Sequence, residues 1–385
     1  MALSFTVEVS EFLKALKGAA KALPSRTTLP ILQNMLFKLD GDELEIAATN
    51  LDFSVIEKVL VSEPEGEGSF TVPGKTILNI ISNMTEPFIS IENEGFTTIL
   101  KTPKGNKYEL MGLDPQDFPK ITHPEGGDVF EFDTETIMKG VNLVSFCAAK
   151  DDLRAFLTGI YWHVTEEFEM RFVASDSHRL AVYGKVGEFP SGFEAIVPPK
   201  VFDFIKEHET EKITVQSTKE LLEFRTPYAS LITRLIEGPY PNYEAVIPDL
   251  PGNGVLRVNR DELLTALKRL LVFTTSPTYT TIWHFKEREI IGKASSPEAG
   301  EGMERLLAEY EGQEMTVGFN AEYLAEIVRK IESFEVEMHL YDPYKAVYIK
   351  PTDSTKDEKI FYLLMPVRIA ESEFGESGES SEEEH

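Results

Sequence analysis

Asp176, Ser177 and His178 are adjacent residues with the side-chain types of a hydrolase triad. In such a triad the histidine takes a proton from the serine while the carboxylate orients the histidine. We predict that the three residues lie on a β-strand, where neighbouring side chains point to opposite faces and cannot form this relay. The chain also lacks the Gly-x-Ser-x-Gly, Gly-rich phosphate-binding and His-Glu-x-x-His patterns. The sequence therefore predicts a protein that is not an enzyme.

The composition gives little support for metal binding or redox chemistry. Cys147 is the single cysteine, so neither an intramolecular disulfide nor a multi-thiolate metal site is possible, and this usage is typical of a reducing compartment. The seven histidines are scattered. No run of 18 or more apolar residues appears, and the N-terminus has no signal-peptide pattern. We therefore expect a cytoplasmic protein with no metal, no cofactor and no membrane contact.

Basic residues at helical spacing are the next candidates for chemistry. Lys14, Lys17 and Lys21 are three and four residues apart, which places them on one face of a predicted helix. The opposite face carries the residues expected to pack on a sheet, namely Phe12, Leu13, Leu16, Ala20 and Leu23. Such a face could contact phosphates.

The overall charge argues against that contact. Lys and Arg number 38 against 65 Asp and Glu, a net charge of −27, and seven of these acids lie in the segment 370–385. An acidic body repels nucleic acid unless its cations are concentrated on one surface. Repetition along the chain is one way to concentrate them.

Two sequence blocks recur three times, about 125 residues apart. The first, a strand followed by a polar cap and an amphipathic helix, lies at 4–20, 129–144 and 255–271. The second, with the same pattern, lies at 70–84, 195–209 and 315–331. Segments between the blocks alternate polar and apolar residues and are broken by turns, as in antiparallel hairpins. The predicted helix caps are Ser10, Asp133 and Asn259.

This pattern predicts an α+β fold of three repeated domains, each with two helices packed on antiparallel sheet. We place the domains at 1–124, 125–250 and 251–369. An acidic segment rich in Ser, Gly and Glu follows at 370–385, and we predict that it is disordered.

Six predicted helices would give the chain a shared basic surface. Its expected members lie on or just beyond those helices: Lys14, Lys17, Lys21, Arg26, Lys75, Lys139, Lys150, Arg154, Lys200, Lys206, Lys268, Arg269, Arg329 and Lys330. Cations on solvated helix faces are common and need not bind anything, but their threefold recurrence favours a basic lining. Such a lining contacts phosphates without reading sequence. No aromatic residues interleave with the lysines, so double-stranded DNA is favoured over single strands.

Four motifs carry a family resemblance over 1–369. They are RTTLPILQNMLF at 26–37, ASDSHRLAVY at 174–183, RLIEGPYPNYEAVIP at 234–248 and YLLMPVRI at 362–369. Together and in this order they closely resemble the bacterial beta sliding clamp, the beta subunit of DNA polymerase III. The resemblance implies a processivity factor that encircles duplex DNA and tethers polymerases to it.

The resemblance also implies a ring made of two subunits joined head to tail. Tyr108 and Leu110, on an edge strand of the first domain, are then expected to meet Val272 and Phe273 of the third domain of the other subunit. The alternative is that these four residues are ordinary members of the core.

A partner-binding pocket between the second and third domains is a further implication. It would take a short peptide, Gln followed by Leu and Phe, from the replicative polymerase, the clamp loader, other polymerases and repair proteins. Carried over position by position, its residues are Leu157, Ser175, Ser177, His178, Arg179, Leu180, Pro241, Ala245, Val246, Ala346, Leu363, Met365, Pro366, Val367 and Arg368. Apolar and Met side chains suit a preformed slot.

This chain departs from the family pattern at three places. Ser177 stands where members usually have Gly, and Ala245 stands where many have Arg, so peptide preference is expected to differ. The segment 370–385 follows the strand at which members usually end. A rival interpretation is an acidic adaptor scaffold that binds peptides without linking to DNA, and retention on circular but not linear DNA separates the two.

Overall fold

The computed structural model describes residues 3–167, 169–189, 192–208, 210–353 and 355–369. The segment 370–385, which we predicted to be disordered, lies outside the described residues. Along the rest of the chain one order of elements occurs three times: a strand, a helix, several strands, a second helix and three more strands.

The bounds of these elements follow the three copies. The first copy comprises β1 (Leu3–Glu8), α1 (Val9–Ala20), β2 (Asn34–Asp40), β3 (Glu43–Thr49), β4 (Phe53–Leu60), β5 (Ser62–Glu65), β6 (Gly68–Pro73), α2 (Gly74–Ser82), β7 (Phe88–Glu94), β8 (Thr97–Lys101) and β9 (Lys107–Met111). The second comprises β10 (Asp128–Asp133), α3 (Thr134–Val144), β11 (Ile160–Val164), β12 (Glu169–Ser175), β13 (Arg179–Val186), β14 (Glu194–Val197), α4 (Phe202–His208), β15 (Lys212–Ser217), β16 (Leu221–Arg225) and β17 (Ala229–Arg234). The third comprises β18 (Gly254–Asn259), α5 (Arg260–Leu270), β19 (Thr280–Lys286), β20 (Glu289–Ser296), β21 (Gly300–Gly312), β22 (Met315–Asn320), α6 (Ala321–Lys330), β23 (Glu335–Leu340), β24 (Val347–Pro351) and β25 (Glu358–Leu364).

The chain divides into two compact units. Unit 1 comprises 1–138 and 198–237, and unit 2 comprises 139–197 and the residues from 238 onwards. Unit 1 holds a five-stranded sheet in the order β5-β1-β7-β8-β9 and an eight-stranded sheet in the order β10-β15-β16-β17-β4-β3-β2-β6. Unit 2 holds a twelve-stranded sheet in the order β14-β11-β12-β13-β25-β24-β23-β18-β21-β20-β19-β22. The division falls within α3.

Each unit contains a joint, where a strand of one copy pairs with a strand of the next. In unit 1, β4 pairs antiparallel with β17, and in unit 2, β13 pairs antiparallel with β25. Because both joints continue the hydrogen-bonded ladder, successive copies share sheets instead of touching only through loops.

The helices begin as the sequence predicts in two of three cases. Asn259 accepts hydrogen bonds at 3.0 Å from the N–H groups of Asp261 and Glu262, and the Asp133 carboxylate accepts from the N–H of Thr136 at 2.9 Å. The prediction for Ser10 is wrong. Strand β1 runs on to residue 8, so the N-cap is a glutamate two residues earlier that makes no side-chain cap.

Apolar faces of the helices pack on the sheets as predicted. In α1, Phe12 and Leu16 are fully buried, and Lys14 and Lys17 are exposed on the other face. Helix α1 packs on α2, and α5 packs on α6. The α+β prediction of three repeated domains, each with two helices on antiparallel sheet, is confirmed. None of the helices in the described ranges is long and apolar enough to cross a membrane.

Candidate functional site

A largely apolar cavity of about 340 Å³ lies in unit 2, beside the turn between β12 and β13. Eleven of the fifteen residues predicted for the peptide pocket line it: Leu157, Ser175, Ser177, His178, Arg179, Leu180, Pro241, Val246, Ala346, Leu363 and Met365. Strands β13 and β25 supply the floor, where Leu180 pairs with Leu363. The joint in unit 2 therefore builds the cavity.

Four predicted pocket residues do not line the cavity. Ala245 is exposed on the 3-10 turn Tyr243–Val246. Pro366, Val367 and Arg368 continue past the cavity, and the N–H of Val367 donates to the carbonyl of Gly318 in β22.

Five lining residues were not predicted for the pocket: Arg154, Phe156, Tyr240, Asn242 and Tyr243. Arg154, which we predicted for the basic surface, is exposed and also lines the cavity. The short helix Asp152–Leu157 has a non-helical residue at Arg154 (φ −133°, ψ 81°), and this kink accompanies its position in the cavity wall. The aromatic residues of the segment 239–243 were a signal that sequence analysis did not use.

The segment Asp176–Ser177–His178 forms a turn, not a strand, so our reason for excluding a triad needs correction. The Asp176 carboxylate accepts hydrogen bonds at 3.0 Å from the N–H groups of both His178 and Arg179. Its second oxygen accepts from the Arg179 guanidinium at 3.0 Å. The aspartate holds the backbone of the turn and does not orient an imidazole, so the three residues still form no relay.

Ser177 occupies a backbone conformation that favours glycine. Its φ is +77°, in the left-handed region where a side chain crowds the following carbonyl. The Ser175 hydroxyl accepts from the N–H of Ser177 at 3.2 Å and donates to the carbonyl of Arg179 at 2.8 Å, which holds the turn in this shape. The departure from the family's Gly therefore costs strain next to the cavity.

A polar network supports the cavity wall from behind. Tyr240 stacks on Tyr161 with ring centroids 4.9 Å apart. The Tyr243 hydroxyl lies 3.1 Å from Nε2 of His163 and accepts from Arg171 at 2.9 Å. Burial, with a contribution from Arg171, lowers the pKa of His163 to about 4, so the neutral imidazole can accept from the tyrosine. The two wall tyrosines are thus fixed in place.

The structure uses several of the predicted basic-surface residues internally. Lys21 lies 2.5 Å from Glu207, Lys139 lies 2.5 Å from Glu358, and Arg269 contacts both oxygens of Glu304 at 2.6 and 2.7 Å. Lys330 donates to Asn142 at 2.7 Å, and burial lowers the pKa of its ammonium group. The remaining predicted residues are all exposed: Lys14, Lys17, Arg26, Lys75, Lys150, Arg154, Lys200, Lys206, Lys268 and Arg329.

The four residues predicted for a subunit interface fall at two places. Tyr108 and Leu110 lie on β9, the outermost strand of the five-stranded sheet. Val272 and Phe273 lie on the 3-10 turn that follows α5, and Val272 is 67% exposed. A Cβ atom on Gly302 of β21 would lie only 2.4 Å from the Phe273 ring, so this ring occupies the space beside the glycine. The turn is therefore packed on β21.

Comparison with known proteins agrees with this architecture. Three family models match in order: the DNA polymerase III beta subunit N-terminal domain at 3–122, its central domain at 131–242 and its C-terminal domain at 245–368. The Escherichia coli K12 beta sliding clamp is 27% identical over 95% of this chain and 100% of its own. The solved beta subunit of Thermotoga maritima is 27% identical with a TM-score of 0.88, over 96% of this chain and all of its own. The Pseudomonas aeruginosa DnaN clamp bound to griselimycin is 25% identical with a TM-score of 0.88, over the same shares.

A threefold clamp fold with these matches defines a DNA sliding clamp, which is a non-enzymatic processivity factor. The chain belongs to the DNA polymerase III beta subunit family. The rival interpretation, an adaptor that does not link to DNA, is not favoured by these matches.

Proposed function

We propose that two copies of this chain close head to tail into a cytoplasmic ring around duplex DNA. Each copy would hold the replicative polymerase, the clamp loader and other polymerases or repair proteins through the cavity in unit 2. We keep the domain division 1–124, 125–250 and 251–369 as part of this proposal. The observation that carries the proposal is that two strand edges are free and are the counterparts of the strands that pair at the two joints within the chain.

The two edges belong to β9 and to the first half of β21. Strand β9 pairs only with β8, and residues 300–307 of β21 pair only with β20 among the described strands. Strand β21 is the third-copy counterpart of β4 and β13, and β9 is the first-copy counterpart of β17 and β25. Since β4 pairs with β17 and β13 with β25, β21 and β9 are the strands left without their counterpart.

The joints also define a register. Thr233 lies opposite Phe53 in unit 1, and Leu364 lies opposite Arg179 in unit 2. When the strand pairings are followed through each copy, Thr233 and Leu364 occupy the same position of the repeat, and so do Phe53 and Arg179. Both joints are antiparallel and place the same positions of the repeat opposite each other.

The same register between two chains brings the predicted interface residues together. It places Leu110 of one copy opposite Gly300 of the other and Tyr108 opposite Gly302. Directly opposite residues in an antiparallel pair point to the same face, and the Phe273 ring already covers that face of Gly302. Tyr108 would therefore pack beside Phe273, and a residue without a side chain at 302 leaves room for both rings.

Disulfide cross-linking tests this register. Glu109 and Glu301 would lie opposite each other, and both are exposed. Glu109→Cys with Glu301→Cys should give a covalent dimer under mild oxidation, because opposed strand residues lie within disulfide reach. The native Cys147 is buried, and burial raises the pKa of its thiol, so background reaction is small. Glu109→Cys with Glu311→Cys is the control; equal cross-linking in both would overturn the register.

Exposed cations on the helices support the DNA-facing part of the proposal. Lys14, Lys17 and Lys75 belong to α1 and α2, which pack together, and Lys268 and Arg329 belong to α5 and α6, which also pack together. A ring that surrounds duplex needs only weak phosphate contacts, because topology prevents dissociation sideways. The acidic exterior then discourages DNA from adhering elsewhere.

The cavity supports the partner-binding part. Its floor and walls are apolar, and Met365 at its rim can adapt to different side chains. A fluorescein-labelled peptide with Gln followed by Leu and Phe, and griselimycin as an independent ligand, are suitable probes. Leu180→Ala or Met365→Ala should weaken both by about tenfold without changing the dimer mass. Leu153→Ala, at an exposed leucine that does not line the cavity, is the matched control. Loss of dimerisation in the cavity variants would contradict the assignment.

A further inference from the structure

Arg179 lies at the wall of the cavity, yet its guanidinium is engaged by the chain itself. Nε donates to Asp176 at 3.0 Å, and Nη2 donates to the backbone carbonyl of Phe146 at 2.8 Å. Nη1 donates to the carboxylate of Glu326. The residue is only 5% exposed. All three nitrogens therefore have partners before any peptide arrives.

Two aromatic rings also lie against the guanidinium. Its central carbon lies 4.3 Å from the ring centroid of Tyr323 and 5.0 Å from that of Phe146. Stacked aromatic rings hold a planar cation in one orientation. A bound peptide would have to displace such contacts in order to use Arg179 as a hydrogen-bond donor.

The groups that hold Arg179 lie outside the cavity. Tyr323 and Glu326 are on α6, and Phe146 is on the 3-10 turn after α3. None of these three lines the cavity. On its other side Arg179 binds Asp176. Asp176 in turn holds the backbone of the turn that carries the cavity residues Ser177 and His178. The His178 carbonyl in turn accepts from the N–H of Met365 at 2.8 Å.

We propose that Arg179 is a positioning residue: it fixes the cavity turn to α6 and does not bind the partner peptide through its own polar atoms. This inference rests on the proposed peptide-binding function of the cavity. It differs from the expectation that Arg179 is a contact residue. The recognition surface is then preorganised from the helical layer behind it, and peptide affinity depends on side chains that the peptide never touches.

Glu326→Ala is the direct test, because it removes the anchor on α6 without altering the cavity lining. Affinity for the fluorescein-labelled peptide and for griselimycin should each fall by about tenfold, as expected when a hydrogen bond to a charged group is lost. Glu326→Gln keeps an acceptor oxygen and should restore most of the affinity. Glu322→Ala, at an exposed carboxylate on the same helix, is the control and should bind normally.

A double-mutant cycle tests whether Arg179 and Glu326 act as one unit. Arg179→Ala combined with Glu326→Ala should bind no more weakly than Arg179→Ala alone, since both changes release the same turn. Melting temperature and dimer mass are measured for each variant, and Glu326→Ala should lose affinity while it remains folded and dimeric at the assay temperature, although its Tm falls by a few degrees. Normal binding by Glu326→Ala, or additive losses in the double variant, would overturn the inference. Failure of the wild-type protein to bind either probe would instead overturn the proposed function.

Discussion

The turns that precede β4 and β13 are built alike, although they lie in different units. In unit 1, Asn50 accepts from the N–H groups two and three residues ahead at 3.0 and 2.9 Å, as Asp176 does in unit 2. Leu51 has a φ of +79°, and Ser177 has a φ of +77°. Threefold repetition therefore produced the same turn twice, and the cavity arises from what was added around one of them.

Two positions distinguish the joints that follow these turns. The first residue of β4 is Phe53, whereas the first residue of β13 is Arg179. Four residues on, β4 has Glu57 and β13 has Tyr183, and both are buried. Glu57 accepts from Nε2 of His208 at 3.0 and 3.2 Å, whereas Tyr183 donates to a carboxylate on β25 at 2.8 Å. Equivalent strand pairings therefore contain different buried polar groups: a histidine–glutamate pair in unit 1, and an arginine and a tyrosine in unit 2.

The charge of the His208–Glu57 pair in the unit 1 joint depends on how many protons the pair holds. His208 has Nδ1 2.7 Å from the carbonyl of Phe204 and Nε2 against the Glu57 carboxylate, so acceptor oxygens face both ring nitrogens. The pair must therefore share two protons to satisfy both contacts. In the unit 2 joint Arg179 stays charged at any ordinary pH. Near neutral pH only the first joint is expected to respond, because the lowered pKa of Glu358 in the unit 2 joint confines its titration to acid.

Glu57→Ala should give the largest effect. It leaves a buried histidine without its partner, and breaking a buried ion pair costs about 3 to 5 kcal/mol. Urea unfolding at pH 6 measures this loss in the free energy of unfolding. A double change, Glu57→Leu with His208→Leu, should recover most of the stability. A Glu57→Ala variant within about 0.5 kcal/mol of wild type would remove the distinction between the joints.

The stabilisation by this pair should decline as pH rises. Burial alone lowers the pKa of His208, but the hydrogen bond to Glu57, the charge of Glu57 and the hydrogen bond to the Phe204 carbonyl together outweigh burial and raise the pKa; burial raises the pKa of Glu57. Lys14 of α1 and Glu207 of α4 are the other charges that face the pair. Both groups therefore hold protons more tightly when folded. The Glu57 contribution is complete below the unfolded glutamate pKa and the His208 contribution below the unfolded histidine pKa, and each is lost as pH rises through the folded pKa of that group.

Unfolding experiments from pH 5.5 to 9 check that sign. The gap in stability between wild type and His208→Gln should shrink steadily with rising pH. His123→Gln removes a half-exposed histidine that contacts Glu223 in the same unit and should show a smaller change. A gap that widens with pH would contradict the two-proton assignment.

Relief of strain in the two turns should be smaller and of similar size. Leu51→Gly and Ser177→Gly each place a residue without a Cβ in the left-handed region, which should stabilise the protein by about 1 kcal/mol. Thermal unfolding detects this gain as a rise in Tm. Gly41→Ala, at an exposed turn with φ +59°, is the inverse control and should destabilise by a similar amount. Destabilisation by both Gly variants would mean that the side chains contribute more than the backbone loses.

Tyr183→Phe should have a much smaller effect than Glu57→Ala. It removes only the hydroxyl that donates to Glu358, and Lys139 continues to contact that carboxylate at 2.5 Å. A loss of about 1 kcal/mol is expected from one hydrogen bond. Urea unfolding measures it beside Glu57→Ala, and equal losses would show that the two joints depend on their buried polar groups to the same degree.

Repetition and periodicity made much of this architecture predictable. Apolar spacing located α1 and its exposed lysines, and the polar residues Asp133 and Asn259 located two helix starts. Ser10 misled because the helix begins earlier than predicted, at Val9, with Glu8 as its N-cap. Local patterns carry this information because caps and amphipathic faces involve residues a few positions apart.

The site was harder to predict because its contacts are distant in sequence. Resemblance to the family supplied most of the cavity residues, but no pattern indicates that Arg179 meets Glu326, 147 positions away. The sequence pattern also does not indicate that Lys139 forms an ion pair with Glu358.

Topological linkage to DNA is the central claim, and retention on circular DNA tests it most directly. The wild-type protein, loaded onto nicked circular plasmid by a clamp loader, should co-elute with the plasmid in gel filtration at moderate salt. Linearising the plasmid should release it, because a ring slides off free ends. Equal retention on circular and linear DNA would show that the protein adheres to the duplex without encircling it.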